Sequence, residues 1–144
     1  MALGLVHHDH IWFIMAITQF MINKRKKLPL SIVILAKNEA ENLRHLLPTL
    51  GFAKELLVIY DQSSDETAQV AKAFGAKVHN YPVGQDFAAA RNWALTVASS
   101  SWVLFLDADE WLNKPAVEHI KKICEKRSKT QGYSFKREDY LWDK

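Results

Sequence analysis

The sequence predicts an α/β protein built on a mostly parallel open sheet with helices on both faces. From residue 31 onward, apolar runs alternate with segments of helical periodicity. The runs at residues 31–36, 55–60 and 101–106 are almost continuously apolar, which is typical of strands that are covered on both faces. Because a helical segment follows each run, the chain is expected to form right-handed crossovers between parallel strands.

The first predicted unit is a strand at residues 31–36 followed by a helix. Asn38 is expected to cap that helix, and Glu41, three residues later, has the spacing that completes a capping box. The apolar face of the helix consists of four leucines, namely Leu43, Leu46, Leu47 and Leu50. Gly51 suits the turn that follows.

The second predicted unit begins with the strand at residues 55–60. Ser63 and Glu66 have capping-box spacing, which predicts a helix over residues 65–74. Gly75 directly follows that helix, at the position where glycine commonly ends one.

The remaining units follow the same order. A short strand is predicted at residues 77–81, a helix at 86–99 and a buried strand at 101–106. Pro115 suits the first turn of a last helix, and residues 132–135 resemble the start of another strand. The inner sides of the two helices are expected to hold Phe87, Ala90, Ala94 and Val97, and Val117, Ile120, Ile123 and Cys124, respectively.

Length and composition indicate one globular domain. The 144 residues are 49% hydrophobic and 24% charged, with a net charge of +3, which suits a single packed core. Basic residues are not interleaved with aromatic ones, so a nucleic-acid partner is not expected. The only cysteine, Cys124, allows no disulfide within the chain. A cytoplasmic location follows as an expectation.

Residues 1–30 lack the strand–helix alternation and are assigned to an N-terminal extension. The apolar run at residues 11–22 is shorter than the roughly 20 residues of a membrane span. Basic residues 24–27 follow it instead of preceding it, unlike in a signal peptide. The segment is therefore either poorly ordered or an interfacial helix that contacts the inner face of the membrane.

Acidic residues collect where the predicted strands end. Asp107, Asp109 and Glu110 follow the fully apolar fourth strand, and carboxylates in such a place need a compensating charge. A hard divalent cation, Mg²⁺ or Mn²⁺, would use Asp107 and Asp109 as oxygen ligands and also bind a substrate diphosphate. The alternative is that these acids only cap a helix and shape a turn.

Two further residues are candidates for the same edge of the sheet. Asp61 follows the second strand, where a carboxylate could accept hydrogen bonds from a nucleotide base or ribose. Its alternative role is to shape the turn, the role preferred for Ser63. Asp65 is expected only to favour the start of the following helix. Arg91, flanked by alanines on the third helix, could pair with Asp107 or with a diphosphate, or form an ordinary surface ion pair.

Four sequence motifs, taken together and in order, resemble the inverting family 2 glycosyltransferases with the GT-A fold. They are residues 31–43 (SIVILAKNEAENL), 61–67 (DQSSDET), 87–92 (FAAARN) and 106–111 (LDADEW). The resemblance extends over residues 31–141 and is greatest to enzymes that add glucose or a related sugar to the lipopolysaccharide core.

This resemblance implies a function and a set of roles. It implies that Asp61 contacts uracil, that Arg91 lies on the nucleotide side, and that Asp107 and Asp109 hold the metal and the donor's ribose and diphosphate. It also implies that two residues, Ala36 and Glu39, form the first-strand edge of the nucleotide pocket. The donor would be a UDP-sugar, attacked with inversion by a glycan or glycolipid acceptor.

The sequence departs from the family pattern in two ways. Tyr60 stands where the family usually has Asp, and Gln62 where it usually has Gly. Residues 31–144 are also shorter than a family catalytic domain, so we expect a nucleotide-binding half that is incomplete at its C-terminal end. Neither Glu138 nor Asp139 is assigned as the general base, and the catalytic residues stay unknown. The alternative function is therefore a fragment that binds nucleotide and metal without catalysis.

Overall fold

The computed structural model describes residues 27–82, 86–126 and 132–136. Within them the chain forms four strands and four helices, with a 3₁₀ turn at Leu47–Leu50 after the first helix. The strands are β1 (Leu28–Ala36), β2 (Ala53–Tyr60), β3 (Lys77–Asn80) and β4 (Trp102–Asp107). The helices are α1 (Ala40–Leu46), α2 (Thr67–Ala73), α3 (Phe87–Val97) and α4 (Lys114–Glu125).

The four strands form one sheet in the order β3-β2-β1-β4. All three neighbouring pairs are parallel, as the apolar runs predict. The central strand β1 is buried over nearly its whole length. The predicted α/β class and parallel pairing are therefore confirmed.

Helices cover both faces of the sheet. On one face, Ile32 and Ile34 of β1 belong to a core that also holds residues of α1, α2 and α4. On the other face, Val33 of β1 packs with Ala94 and Trp93 of α3. Alternate residues of one strand thus contribute to two cores, which is why the strand is apolar throughout.

Three of the sequence predictions are wrong. The strand β1 begins at Leu28, so residues 28–30 belong to the sheet and not to the N-terminal extension. Residues 132–136 form no regular strand. On α3, Phe87 is 53% exposed, although Ala90 and Ala94 are buried as expected.

The predicted caps of the first two helices are also wrong. The helix α1 begins at Ala40, and neither α1 nor α2 has a side-chain hydrogen bond from its own cap residue. Asn38 instead has a φ of 57°, in the left-handed region that asparagine tolerates. The Asn38 side chain accepts a hydrogen bond from the backbone N–H of Ser64, in the loop after β2.

Some sequence predictions concern parts of the chain outside the described residues. They are the character of residues 1–26, including membrane contact, and the acids Glu138 and Asp139. Within the described ranges, no helix is long and apolar enough to span a membrane.

The amino edge of the sheet, where the parallel strands begin, contains one buried carboxylate. Glu55 accepts hydrogen bonds from the Ser31 hydroxyl and, at 2.8 Å, from the Ser99 amide. Its other oxygen lies 2.7 Å from the Lys77 ammonium. Burial opposes ionisation of Glu55, but the hydrogen bonds from these three residues outweigh it and lower its pKa to about 2. The carboxylate therefore joins the beginnings of four strands.

Candidate nucleotide-sugar site

The candidate site lies at the carboxyl edge of the sheet, where the parallel strands end. In the strand register, Leu35 pairs with Asp107 and Ala36 pairs with Tyr60. The ends of β1, β2 and β4 therefore lie side by side, and Asp61 directly follows the second of them. This is the edge at which open α/β sheets bind ligands.

Asp61 is held firmly against the end of β1. Its backbone N–H donates to the Ala36 carbonyl at 3.2 Å. Its carboxylate is 12% exposed and lies 3.5 Å from the ammonium of Lys37, which is 62% exposed. The side chain is thus mostly buried beside a compensating charge, and it is fixed in position relative to the first strand.

The first-strand edge of the predicted pocket consists of Ala36, which contacts Asp61, and Glu39, which directly precedes α1. Ala36 is buried, and its carbonyl accepts the Asp61 amide. Glu39 is half-buried, and its carboxylate accepts a hydrogen bond from the Asn42 side chain at 2.7 Å. The Glu39 side chain is thereby oriented by a residue one turn later on α1.

Arg91 reaches the edge from the opposite face of the sheet. Its guanidinium lies 3.6 Å from the Asp107 carboxylate, and the two side chains are 40% and 45% exposed. The small residues Ala90 and Ala94 are completely buried, so α3 can lie close to the sheet. Asp86 begins the helix by accepting the Ala89 amide at 2.8 Å. Of the predicted pairings, the structure contains the one with Asp107.

The turn after β4 contains three acidic residues. Asp107 and Asp109 have exposed carboxylates, whereas the carboxylate of Glu110 binds the backbone of the turn. The Glu110 carboxylate accepts the Asp107 backbone N–H at 2.9 Å, and the Glu110 N–H donates to the Asp107 carbonyl at 3.0 Å. Ala108 is buried, whereas Asp109 is exposed. Glu110 therefore stabilises the turn, a role that its grouping with the two aspartates did not reveal.

The donor set of this turn fits a hard divalent cation that is shared with a ligand. Among the residues that the structure describes, no three His, Cys, Asp or Glu side chains are grouped closely enough to hold a metal alone. Asp107 and Asp109 provide carboxylate oxygens at an open edge. Mg²⁺ sites commonly use one or two carboxylates and complete their shell with phosphate and water.

The contacts between the two loops that follow β1 and β2 were not predicted from the sequence. Ser63 and Asp65 were expected to act within their own turn and helix. The Ser63 hydroxyl instead accepts the Asn38 amide at 3.0 Å. The Asp65 carboxylate accepts the Thr67 amide of its own helix at 2.9 Å, as expected, and in addition the Ala40 amide at 3.0 Å. The residue types favour capping, but the sequence does not indicate which helix is capped.

Comparison with known proteins identifies relatives of this chain. An uncharacterized glycosyltransferase of Rickettsia bellii is 33% identical over 99 residues, which cover 65% of this chain and 32% of that protein. The lipopolysaccharide core biosynthesis glycosyltransferase LpsC of Rhizobium meliloti is 28% identical over 119 residues, covering 80% of this chain and 44% of LpsC. The chain thus spans less than half the length of both relatives.

The fold is shared with a solved structure. A crystal structure of glucosyl-3-phosphoglycerate synthase from Mycobacterium tuberculosis, in complex with Mn²⁺, UDP and glucosyl-3-phosphoglycerate, matches 69% of this chain and 41% of that chain. The TM-score is 0.53 at 24% identity, a likeness of GT-A fold alone. Residues 31–140 match the model of glycosyl transferase family 2. Because that match includes most of the residues, the chain belongs to glycosyl transferase family 2.

Proposed function

We propose that this chain binds the UDP-sugar donor of an inverting glycosyltransferase that transfers the sugar to a glycan or glycolipid acceptor. The observation that supports this most directly is the strand register, in which Ala36 ends β1, Asp107 ends β4 and Asp61 directly follows the end of β2. A nucleotide sugar lying along this edge would meet a buried carboxylate at one end and two outward carboxylates at the other.

In this proposal the base and ribose lie over the ends of β1 and β2. The Asp61 carboxylate accepts from the uracil N–H, and Ala36 and Glu39 form the adjoining wall. Asp61 suits this role because its side chain is mostly buried and its backbone N–H is bound to the Ala36 carbonyl, so little ordering is needed when a ligand binds.

The diphosphate lies near β4 and α3. Asp107 and Asp109 would hold Mn²⁺ or Mg²⁺, which when bound neutralises charge on the departing nucleoside diphosphate. The Asp107 carboxylate also contacts the donor's ribose. Arg91, now 3.6 Å from Asp107, is within reach of the same phosphates, and a guanidinium pairs well with them.

The reaction forms one bond and breaks one. The acceptor hydroxyl oxygen bonds to the anomeric carbon from the side opposite UDP, and the carbon–oxygen bond to the β-phosphate breaks with inversion. The hydroxyl proton passes to a general base. No described residue is assigned that role, so donor binding without turnover is the second candidate function. Release of UDP that depends on acceptor separates the two.

The relatives suggest where such a transfer belongs. LpsC acts in lipopolysaccharide core biosynthesis by its name, and we propose a related cell-envelope glycan as the acceptor. UDP-sugars are cytoplasmic substrates in this proposal, and the enzyme would work in the cytoplasm, in peripheral contact with the inner face of the membrane.

Thermal unfolding with ligands tests the donor site. UDP and Mn²⁺ together are expected to raise the melting temperature by on the order of 5 °C at saturation. Asp107→Ala and Asp109→Ala should each abolish that rise. Glu118→Ala, which removes an exposed carboxylate on α4 that binds Lys121, is the matched control and should retain it. A rise that persists in both aspartate variants would show that the metal assignment is wrong.

A further inference from the structure

The loops that follow β1 and β2 are joined by a set of hydrogen bonds that we call the interloop clasp. On the β1 side, three successive amides donate to side chains of the other loop. The Asn38 amide donates to Ser63, the Glu39 amide to the Thr67 hydroxyl at 2.9 Å, and the Ala40 amide to Asp65. The amides of the cap residue Glu39 and of Ala40, the first residue of α1, are thus satisfied from outside that helix.

The clasp is also formed in the opposite direction. The Asn38 side-chain oxygen accepts from the backbone N–H of Ser64 at 2.8 Å and from its hydroxyl at 3.2 Å. Each loop therefore uses a side chain to bind the backbone of the other. Such reciprocal bonds fix both the distance and the relative rotation of two loops, whereas a single bond would allow a hinge motion.

Asp65 and Thr67 form the centre of the clasp. One Asp65 oxygen binds the Ala40 amide, and the other accepts the Thr67 amide at 2.9 Å and the Thr67 hydroxyl. Thr67 is completely buried. Burial opposes ionisation of Asp65, but the hydrogen bonds from Thr67 and Ala40 outweigh it and lower the Asp65 pKa below its ordinary value. The carboxylate thus stays ionised and bridges the beginnings of two helices.

The clasp lies close in sequence to Asp61, the residue to which we assign base recognition. Asp61 lies between β2 and the clasp, and its neighbour Gln62 has a φ of 42°. Asn38 and Gln62 both adopt the left-handed region, which L residues other than glycine rarely populate. Asparagine tolerates this region, but the Gln62 conformation, directly after Asp61, is unfavourable and persists only where surrounding contacts hold it.

We propose that Asn38, Asp65 and Thr67 are positioning residues that hold Asp61 and Glu39 in the orientation required to bind the uridine end of the donor. They touch no part of the donor and act through the two loops. This inference rests on the proposed function, because it assigns a nucleotide to the edge that the clasp orients.

The test compares two probes on the full chain, UDP with Mn²⁺ and pyrophosphate with Mn²⁺, by calorimetry. Thr67→Val keeps the shape of the side chain and removes its hydroxyl, so we expect UDP binding to weaken about tenfold with pyrophosphate binding unchanged. Thr67→Ser restores the hydroxyl and should restore UDP affinity. Hydrogen exchange at the Glu39 amide should rise in the valine variant and return to normal in the serine variant.

Two substitutions at exposed positions test the same proposal if Thr67→Val fails to fold. Asn38→Gly tolerates the positive φ but lacks the side-chain oxygen, and it should weaken UDP binding about fivefold. Glu66→Ala is the control, because this exposed carboxylate in the same loop pairs with Arg44 and lies outside the clasp. It should leave the affinity for both probes unchanged.

The possible outcomes are distinct. Wild-type affinity for UDP in Thr67→Val and Asn38→Gly, despite faster amide exchange, would overturn the positioning role alone. Equal losses for UDP and pyrophosphate would overturn it as well, since they would indicate a general loss of structure. A wild-type chain that binds pyrophosphate with Mn²⁺ but not UDP would overturn both this inference and the proposed donor site.

Discussion

At the amino edge of the sheet the Glu55 carboxylate is 4% exposed and receives a lysine, a serine hydroxyl and a backbone amide. At the carboxyl edge the Asp107 carboxylate is 45% exposed, and its guanidinium partner lies 3.6 Å away. The residues are chemically alike, but the first is bound on all sides by the protein and the second faces an open edge. Acidity alone therefore does not predict a ligand site, and the proposed site is instead supported by the strand end at which its acids lie.

Removal of one carboxylate from each edge tests this difference between the edges most directly. Glu55→Ala leaves the Ser31 hydroxyl and the Ser99 amide without their acceptor, and we expect a loss of about 3 kcal/mol in the free energy of unfolding. Asp107→Ala removes a half-exposed ion pair and should change the free energy of unfolding by about 0.5 kcal/mol or less. Urea unfolding measures both, and equal losses would contradict the assignment of structure to one edge and binding to the other.

The pH dependence of unfolding tests the same contrast. The Glu55 pKa is lowered from its ordinary 4.5 to about 2, so its contribution is complete above pH 4.5 and is lost as the pH falls through 2. The shift corresponds to about 3 kcal/mol, and solvent screening of the exposed Lys77 reduces this to about 2 kcal/mol. The stability difference between wild type and Glu55→Ala should shrink by that amount between pH 6 and pH 2. A constant difference would mean that Glu55 is not ionised in the folded protein.

Much of the fold can be predicted from the local pattern of apolar residues along the sequence. A strand covered on both faces must be apolar throughout, so β1, β2 and β4 were visible as runs, and their order with the helices required a parallel sheet. The carboxyl edge followed in turn, because parallel strands end on the same side. These predictions required no knowledge of the contacts between residues that are far apart in the sequence.

Two of the failures concern residues whose partners lie far along the chain. Asn38 has the residue type and spacing of a local cap, yet its side chain binds Ser64, and no local rule distinguishes the two. Residues 132–136 have strand-like residues, but a strand also needs a neighbour with unpaired backbone groups. In the structure Tyr133 and Phe135 instead contact the rings of Trp102 and His119.

The smallest effect is predicted at Gln62, which lies at the carboxyl edge and departs from the glycine of the family pattern. Its φ of 42° costs a non-glycine residue about 1–2 kcal/mol. Glycine removes this strain but adds about 0.5–1 kcal/mol of chain entropy to the unfolded state. Gln62→Gly should therefore raise the free energy of unfolding by about 0.5 kcal/mol.

The matched control for Gln62→Gly is Glu66→Gly, an exposed position in the same loop with a φ of −80°. Glycine there adds entropy to the unfolded state without relieving strain, so urea unfolding should show a loss of about 0.5–1 kcal/mol. If Gln62→Gly is destabilising to the same extent, the loop is not strained at Gln62. A gain in stability at Gln62 would instead show that the carboxyl edge holds a backbone conformation that stability alone does not favour, as binding edges often do.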